Sequence, residues 1–216
     1  MQTHSGDYGS SGRYAALLSE KPCERPIYNE ILWEAEGCVV APTLGSIIPN
    51  WLLVIPRRPV LNFVRWQAAS NISPSAVIEH IVKGLGIDPA RMIWFEHGPA
   101  APGTMIGCGA DHAHLHLIVD PPFTFQEFGE AAETAANLDW RSERSNFVYA
   151  SIGSRTSYLV AGSQGNAVFA TNVETVGSQF FRRVVAKLAG RPSEWNYKTH
   201  PFLENIEATV MQLAGR

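Results

Sequence analysis

Apolar and polar positions alternate or recur along this chain in ways that predict its elements one after another. Strict alternation marks a half-buried strand, and a period near 3.6 marks an amphipathic helix. Glu30–Ala35 and Cys38–Ala41 are short strand signals joined by a turn at Glu36-Gly37. Asn50–Pro56, reading NWLLVIP, is a near-continuous apolar run and predicts a buried strand. Helices follow over 61–70 and 74–86; the second opens on Ser73-Pro74, an N-cap and an N1 proline. Its stripe is Val77, Ile78, Ile81, Val82 and Leu85. Met92–Phe95 predicts a short strand running into Glu96-His97-Gly98, and Pro99–Gly107 a Gly/Pro loop. His112–Val119, with His at every second position and apolar residues between and after, predicts a half-buried strand, ended by Asp120-Pro121-Pro122. Beyond it, Phe125–Asn137 predicts a helix with Phe125, Phe128 and Ala132 on one side. Phe147–Ile152, Tyr158–Ala161 and Ala167–Ala170 predict strands, with a turn at 162–165. Val176–Ala189 predicts a helix that turns Phe180, Phe181, Val184, Val185 and Leu188 inward and stops at Gly190-Arg191-Pro192; Phe202–Leu213 predicts a closing helix.

The first residues break this order. Residues 1–12 are polar and rich in Gly and Ser, the composition of a mobile arm, and His4 lies in it. A short helix is expected within 13–28, stopped by Pro22 and Pro26. The expected organisation is therefore an arm over 1–12, a core over 13–122 and an extension over 123–216. No long polar linker separates the last two, so the extension is expected to pack on the core.

Composition changes this picture little. An apolar content of 45% and a charged content of 17% over 216 residues belong to a globular chain with a real core. A net charge of −3 leaves no basic excess to draw nucleic acid or a membrane surface, though a few local groups can still hold a small nucleotide. Cys23, Cys38 and Cys108 are odd in number and lack CxxC spacing, and no apolar run of membrane length or signal-peptide pattern is found. The expected setting is a reducing cytoplasm.

Chemistry concentrates in His112, His114 and His116, three of seven histidines within five positions. On a strand they line one face about 6.5–7 Å apart, with Ala113, Leu115 and Leu117 packed behind. That row suits an extended anion such as a phosphate chain. It suits one metal ion poorly, because the outer two stand about 13 Å apart at the backbone. Imidazole, with a reference pKa near 6.5, can serve as a nucleophile when neutral and as a donor when charged. An exposed strand with chance polar residues is the plain alternative; a metal enzyme using two of these His with Asp111 or Asp120 is a further one.

The stretch His-Ala-His-Leu-His-Leu-Ile resembles the motif of the histidine triad family, His-φ-His-φ-His-φ-φ, with Ala113 small for its position. The resemblance covers roughly residues 28–120. It implies an α+β fold with an antiparallel sheet, flanking helices and here an integral C-terminal α/β extension. It implies a nucleotide substrate cleaved at the α-phosphate through a covalent nucleotidyl-histidine, with His114 as nucleophile and His112 and His116 orienting it and stabilising phosphoryl oxygens. Trp51–Pro56 is similar to the family's second signature, in which a Gly-His pair precedes the strand; Asn50-Trp51 stands in its place, and Arg58-Pro59 replaces a His common after the proline. Glu96-His97-Gly98 is similar to the Asn-Glu-Gly of relatives, whose Asn touches a phosphate or a triad His, which makes Glu96 and His97 candidates for substrate binding, against simple turn chemistry. Cys108 and Gly109 occupy the place of a phosphate-holding Gly-Gln pair; Gly107-Cys108 resembles galactose-1-phosphate uridylyltransferases, which keep only two of the His. Cys108 also reads as an inert packed thiol.

The resemblance implies hydrolysis, since the third His is retained, with nucleotidyl transfer or phosphorolysis as the alternative and a non-catalytic nucleotide-binding protein as a third reading. It implies no cofactor and no resident metal, a small-molecule nucleotide as partner, neither nucleic acid nor membrane, and leaves a homodimer open. Arg155, Arg182, Arg183, Trp195 and Lys198 are the extension's candidates for phosphate or base contact, each against a role as surface charge or packing aromatic.

Overall fold

The computed structural model describes residues 10–19, 26–107 and 110–213. Eight strands form one antiparallel sheet in the order β1-β2-β3-β5-β4-β7-β8-β6. They are β1 (Trp33–Ala35), β2 (Cys38–Pro42), β3 (Trp51–Pro56), β4 (Met92–Gly98), β5 (Leu115–Val119), β6 (Arg141–Glu143), β7 (Tyr158–Gly162) and β8 (Ala167–Thr171). Seven helices accompany it among the described residues: α1 (Ser10–Leu18), α2 (Phe63–Ser70), α3 (Pro74–Gly84), α4 (Phe125–Ala135), α5 (Val148–Ser151), α6 (Phe180–Leu188) and α7 (Leu203–Leu213). The fold is thus mixed α and β, with an antiparallel sheet and helices on its faces.

Local chemistry sets these boundaries. Asn62 caps α2 by accepting from the Arg65 amide, and Ser73 caps α3 by accepting from that of Ala76. Thr124 and Glu127 form a reciprocal capping box on α4. The centre of the sheet is bound by register. Leu53 of β3 lies opposite His116 of β5, which lies opposite Phe95 of β4, and β4 continues through Phe95↔Ala161 into β7. Strands from before and after residue 122 therefore share one hydrogen-bonded sheet.

Side chains alternate across a strand, so this register sorts the core into two sides. One side carries Val40, Leu52, Val54, Trp94, Leu115, Leu117 and Val160, packed with residues of α2, α3 and α5. Ala113 joins it, so the apolar partners expected behind the histidines are where alternation puts them. The other carries Trp51, Ile93, Phe95, Ile118, Leu159 and Ala161 beneath Phe128 of α4 and Phe180, Phe181, Val184 and Val185 of α6. At its β2–β3 end Val39, Ala41, Leu53 and Ile55 pack on Tyr14 and Leu17 of α1.

Four expectations need correction. β5 is buried on both faces rather than half-buried, because helices cover the histidine side as well. Its regular strand begins only at Leu115, so His112 and His114 precede it. Residues 10–12, expected in the mobile arm, belong to α1, while His4 and Cys23 lie outside the described residues. Phe147–Ile152 is not a strand but holds the single-turn helix α5, and the edge strand β6 was not anticipated. No described helix is long and apolar enough to cross a membrane.

Candidate active site

The histidines lie where β5 begins, between α1 and α6. Each ring meets a group that can only donate or only accept, so each proton can be placed. His114 Nδ1 lies 2.9 Å from the His112 carbonyl oxygen; a carbonyl only accepts, so Nδ1 carries the proton and Nε2 keeps its lone pair. His116 Nδ1 accepts from the Trp51 indole N–H at 3.0 Å, which puts the His116 proton on Nε2. His97 Nε2 accepts from the Phe181 amide at 3.1 Å, so its proton is on Nδ1, a buried atom with no partner. His112 Nε2 lies 2.7 Å from the Pro56 carbonyl oxygen and donates to it.

Burial keeps this cluster neutral. His97, His114 and His116 are 3%, 8% and 5% exposed. Desolvation, with further lowering by His112, Arg13 and Arg182 against the opposing His112 carbonyl bond, takes His114 down to about 4. Desolvation and then His114, Arg183 and Arg182 take His97 down to about 3. His116 is held well below the usual imidazole range by the same desolvation, with His114 and His97 next. Aromatic rings fix the positions: His116 stacks on Phe95 at 4.7 Å between centroids, and Tyr14 lies 5.5 Å from His114.

His114 and His116 line a cleft together with Arg13, Tyr14, Thr43, Leu44, Leu53, Ala110, Gln179, Arg182 and Tyr197. No acidic side chain is among these described lining residues. Arg182, 3% exposed, donates to the Gly45 and Trp195 carbonyls and lies over the Trp51 ring, 4.8 Å from its centroid. Gly45 lies at a φ of +73°, and a Cβ there would meet the Tyr197 Cβ at 2.4 Å and Arg182 at 2.7 Å, so only glycine allows this approach. Gln179 adopts the left-handed conformation just before α6, at the cleft wall.

The structure brings together only part of the expected set. The His112 ring lies in a neighbouring hollow with Tyr14, Arg57 and Asp111, and it is the His112 carbonyl that serves His114. His97 is on the histidine side, 6.4 Å from His116 between ring centroids, but is sealed behind the Phe181 amide and does not line the cleft. Glu96 points to the opposite side of the sheet. There it accepts from the Phe63 amide at 2.8 Å and the Tyr158 hydroxyl at 2.7 Å, and desolvation raises it to about 7. Gly98 packs against the Tyr158 ring. Cys108 and Gly109 lie outside the described residues. Of the extension's candidates Arg182 alone lines the cleft; Arg183 donates to the Ser178 and Val176 carbonyls, and Arg155 and Lys198 are exposed. Sequence reasoning missed Arg13, Tyr14, Thr43, Gln179 and Tyr197, which come from distant segments and share no motif. No group of three or more His, Cys, Asp or Glu among the described residues could hold a metal ion. Asp111 instead accepts from the Gly103 amide, and Asp120 pairs with Arg91.

The chain matches none of the protein-family models it was compared with, and no curated protein matches it significantly. What the site can do rests on its chemistry: a neutral imidazole with a free lone pair, a second imidazole presenting an N–H, and two guanidiniums around one cleft.

Proposed function

We propose that the protein is a nucleotide hydrolase that attacks the α-phosphate of a nucleotide conjugate through His114. The observation that carries this reading is the bond from His114 Nδ1–H to the His112 carbonyl, which leaves Nε2 as a fixed nucleophile facing the cleft. In the first step the Nε2 lone pair forms a bond to phosphorus and the bond to the leaving group breaks, with its electron pair going to the leaving group. Water then cleaves the N–P bond, releasing the nucleotide and restoring the imidazole. His116 Nε2–H stabilises charge on the phosphoryl oxygens. The resemblance of His112–Ile118 to the histidine triad motif supports the same assignment of nucleophile.

The test is a panel of nucleoside phosphoramidates, dinucleoside polyphosphates and nucleotide sugars, assayed for nucleoside monophosphate release. Wild type should turn over at least one class, and His114→Ala should lose several powers of ten in kcat while still binding the nucleotide. A His114→Ala protein with normal turnover would overturn the proposal.

A further inference from the structure

We propose that Arg13 and Arg182, together with the Thr43 hydroxyl, form a leaving-group site for a phosphate, which makes the substrate a nucleoside phosphoanhydride. This rests on the reading of His114 as nucleophile and adds what departs from it. The three residues come from α1, the loop after β2 and α6, lie outside every histidine motif, and meet only in the folded cleft.

Three observations point to a phosphate. Arg13 donates to Asn29 Oδ1 at 3.0 Å, to the Tyr28 carbonyl and to the Pro42 carbonyl at 2.8 Å, all neutral oxygens. Its guanidinium is thus held in place by groups that leave its charge uncompensated among the described residues, and planar guanidinium groups suit phosphate oxygens. The Thr43 hydroxyl, on a residue 2% exposed, has no hydrogen-bond partner among the described residues although it lines the cleft. A buried hydroxyl left unpaired is destabilising, and a phosphate oxygen relieves that cost. Arg182 stands on the other wall, steadied by Gly45, Trp195 and Trp51.

The chemistry of departure selects among nucleotide conjugates. An amine leaves well only if it receives a proton, and His114 and His116 are held neutral at physiological pH. A phosphate leaves as an anion with the electron pair of the broken P–O bond and needs cations rather than an acid. When His114 Nε2 bonds to the α-phosphorus, the bridging oxygen stays with the departing phosphate. Its new negative charge falls between Arg13 and Arg182, with Thr43 donating to it. No proton, metal or oxidant enters the balance of this step.

The experiment compares two substrates that share one nucleotide, a dinucleoside triphosphate and a nucleoside phosphoramidate, on wild type and Arg13→Gln, with folding checked by circular dichroism. The expected result is a wild-type preference for the anhydride of about a hundredfold or more in kcat/KM. Arg13→Gln should lower anhydride cleavage by about 10²–10³ and leave the phosphoramidate rate much less changed. Inorganic pyrophosphate should inhibit wild type and lose potency against the variant. Equal loss on both substrates would make Arg13 a purely structural residue and overturn the inference. So would a wild-type preference for the phosphoramidate, with the nucleophile still standing. Failure to cleave either substrate would instead strike the hydrolase reading itself. If Arg13→Gln does not fold, Thr43→Val on the same two substrates decides, with the same selective loss expected.

Discussion

Glu96 and His97 are neighbours on β4, yet they illustrate two ways of burying an ionisable group. Glu96 goes to one side of the sheet and accepts from two donors, the Phe63 amide and the Tyr158 hydroxyl. That side is packed by α2, α3 and α5, with the Tyr149 hydroxyl buried among them. The other side carries His97, His114 and His116, and it is incompletely satisfied. His97 Nδ1 is buried without a partner, Thr43 Oγ1 likewise, and the Nε2 atoms of His114 and His116 have no hydrogen-bond partner among the described residues. Satisfied polar clusters specify a fold, whereas polar atoms left open around a cleft mark a place where a ligand completes the set. On the histidine side α1 and α6 leave a gap, and the cleft opens there over His114 and His116.

The most drastic way to break the comparison is to remove that cover. Truncation after Asp120 deletes β7, which pairs along β4 from Trp94 to Gly98, together with α4 and α6. An exposed sheet edge and an uncovered apolar face should leave the fragment insoluble or unfolded. Circular dichroism and gel filtration check this, and a well-folded active fragment would contradict it.

A subtler break is Trp51→Phe. It keeps an aromatic ring beside Phe95 and removes the donor to His116 Nδ1, so His116 can then take the other tautomer. The expected effect is a loss of about 10²-fold in kcat with a much smaller change in KM. Steady-state kinetics read the rate, and nitrogen NMR shifts of His116 read the tautomer. An unchanged rate would remove Trp51 from the set of positioning residues.

The smallest expected effect separates the two sides by pH. Burial raises Glu96 above its unfolded value, so its contribution to stability is present below about pH 4.5 and is lost as pH rises through about 7. Burial lowers His114 and His97, so their contributions are present above about pH 6.5 and are lost as pH falls toward about 4 and about 3. The two sides therefore oppose each other between pH 4.5 and 6.5. Glu96→Gln should remove the first contribution, make acid destabilisation steeper, and shift its stability relative to wild type by up to roughly 3 kcal/mol between pH 4.5 and 7. Activity should be little changed. Denaturant titrations across this range check it, and parallel pH profiles for the two proteins would contradict it.

What the sequence made legible follows from which forces act locally. β3, β4 and α3 stand out because burial imposes their apolar pattern and Ser73-Pro74 marks a start. β6, reading Arg-Ser-Glu, is invisible because it is an exposed edge strand with no apolar pattern to betray it. Phe147–Ile152 has strand-like composition, but one turn of helix is too short for a period to show. The histidine row is legible, since side chains two apart share a face. What each ring does is not: Trp51, the Pro56 carbonyl and the Phe181 amide decide the tautomers, and each comes from a distant part of the chain. Glu96 and His97 are adjacent in the sequence, but adjacency on a strand places them on opposite sides. Arg13 and Thr43 gave no signal because only the tertiary fold sets them beside His114.

The central claim is that His114 Nε2 bonds covalently to phosphorus. Rapid acid-free denaturation of wild type during turnover of a nucleoside phosphoanhydride or phosphoramidate, followed by mass spectrometry of the digested protein, tests it directly. The account predicts a nucleoside monophosphate adduct on His114, acid-labile and absent from His114→Ala. Turnover with an adduct on another residue, or sustained turnover by the His114→Ala protein, would contradict it.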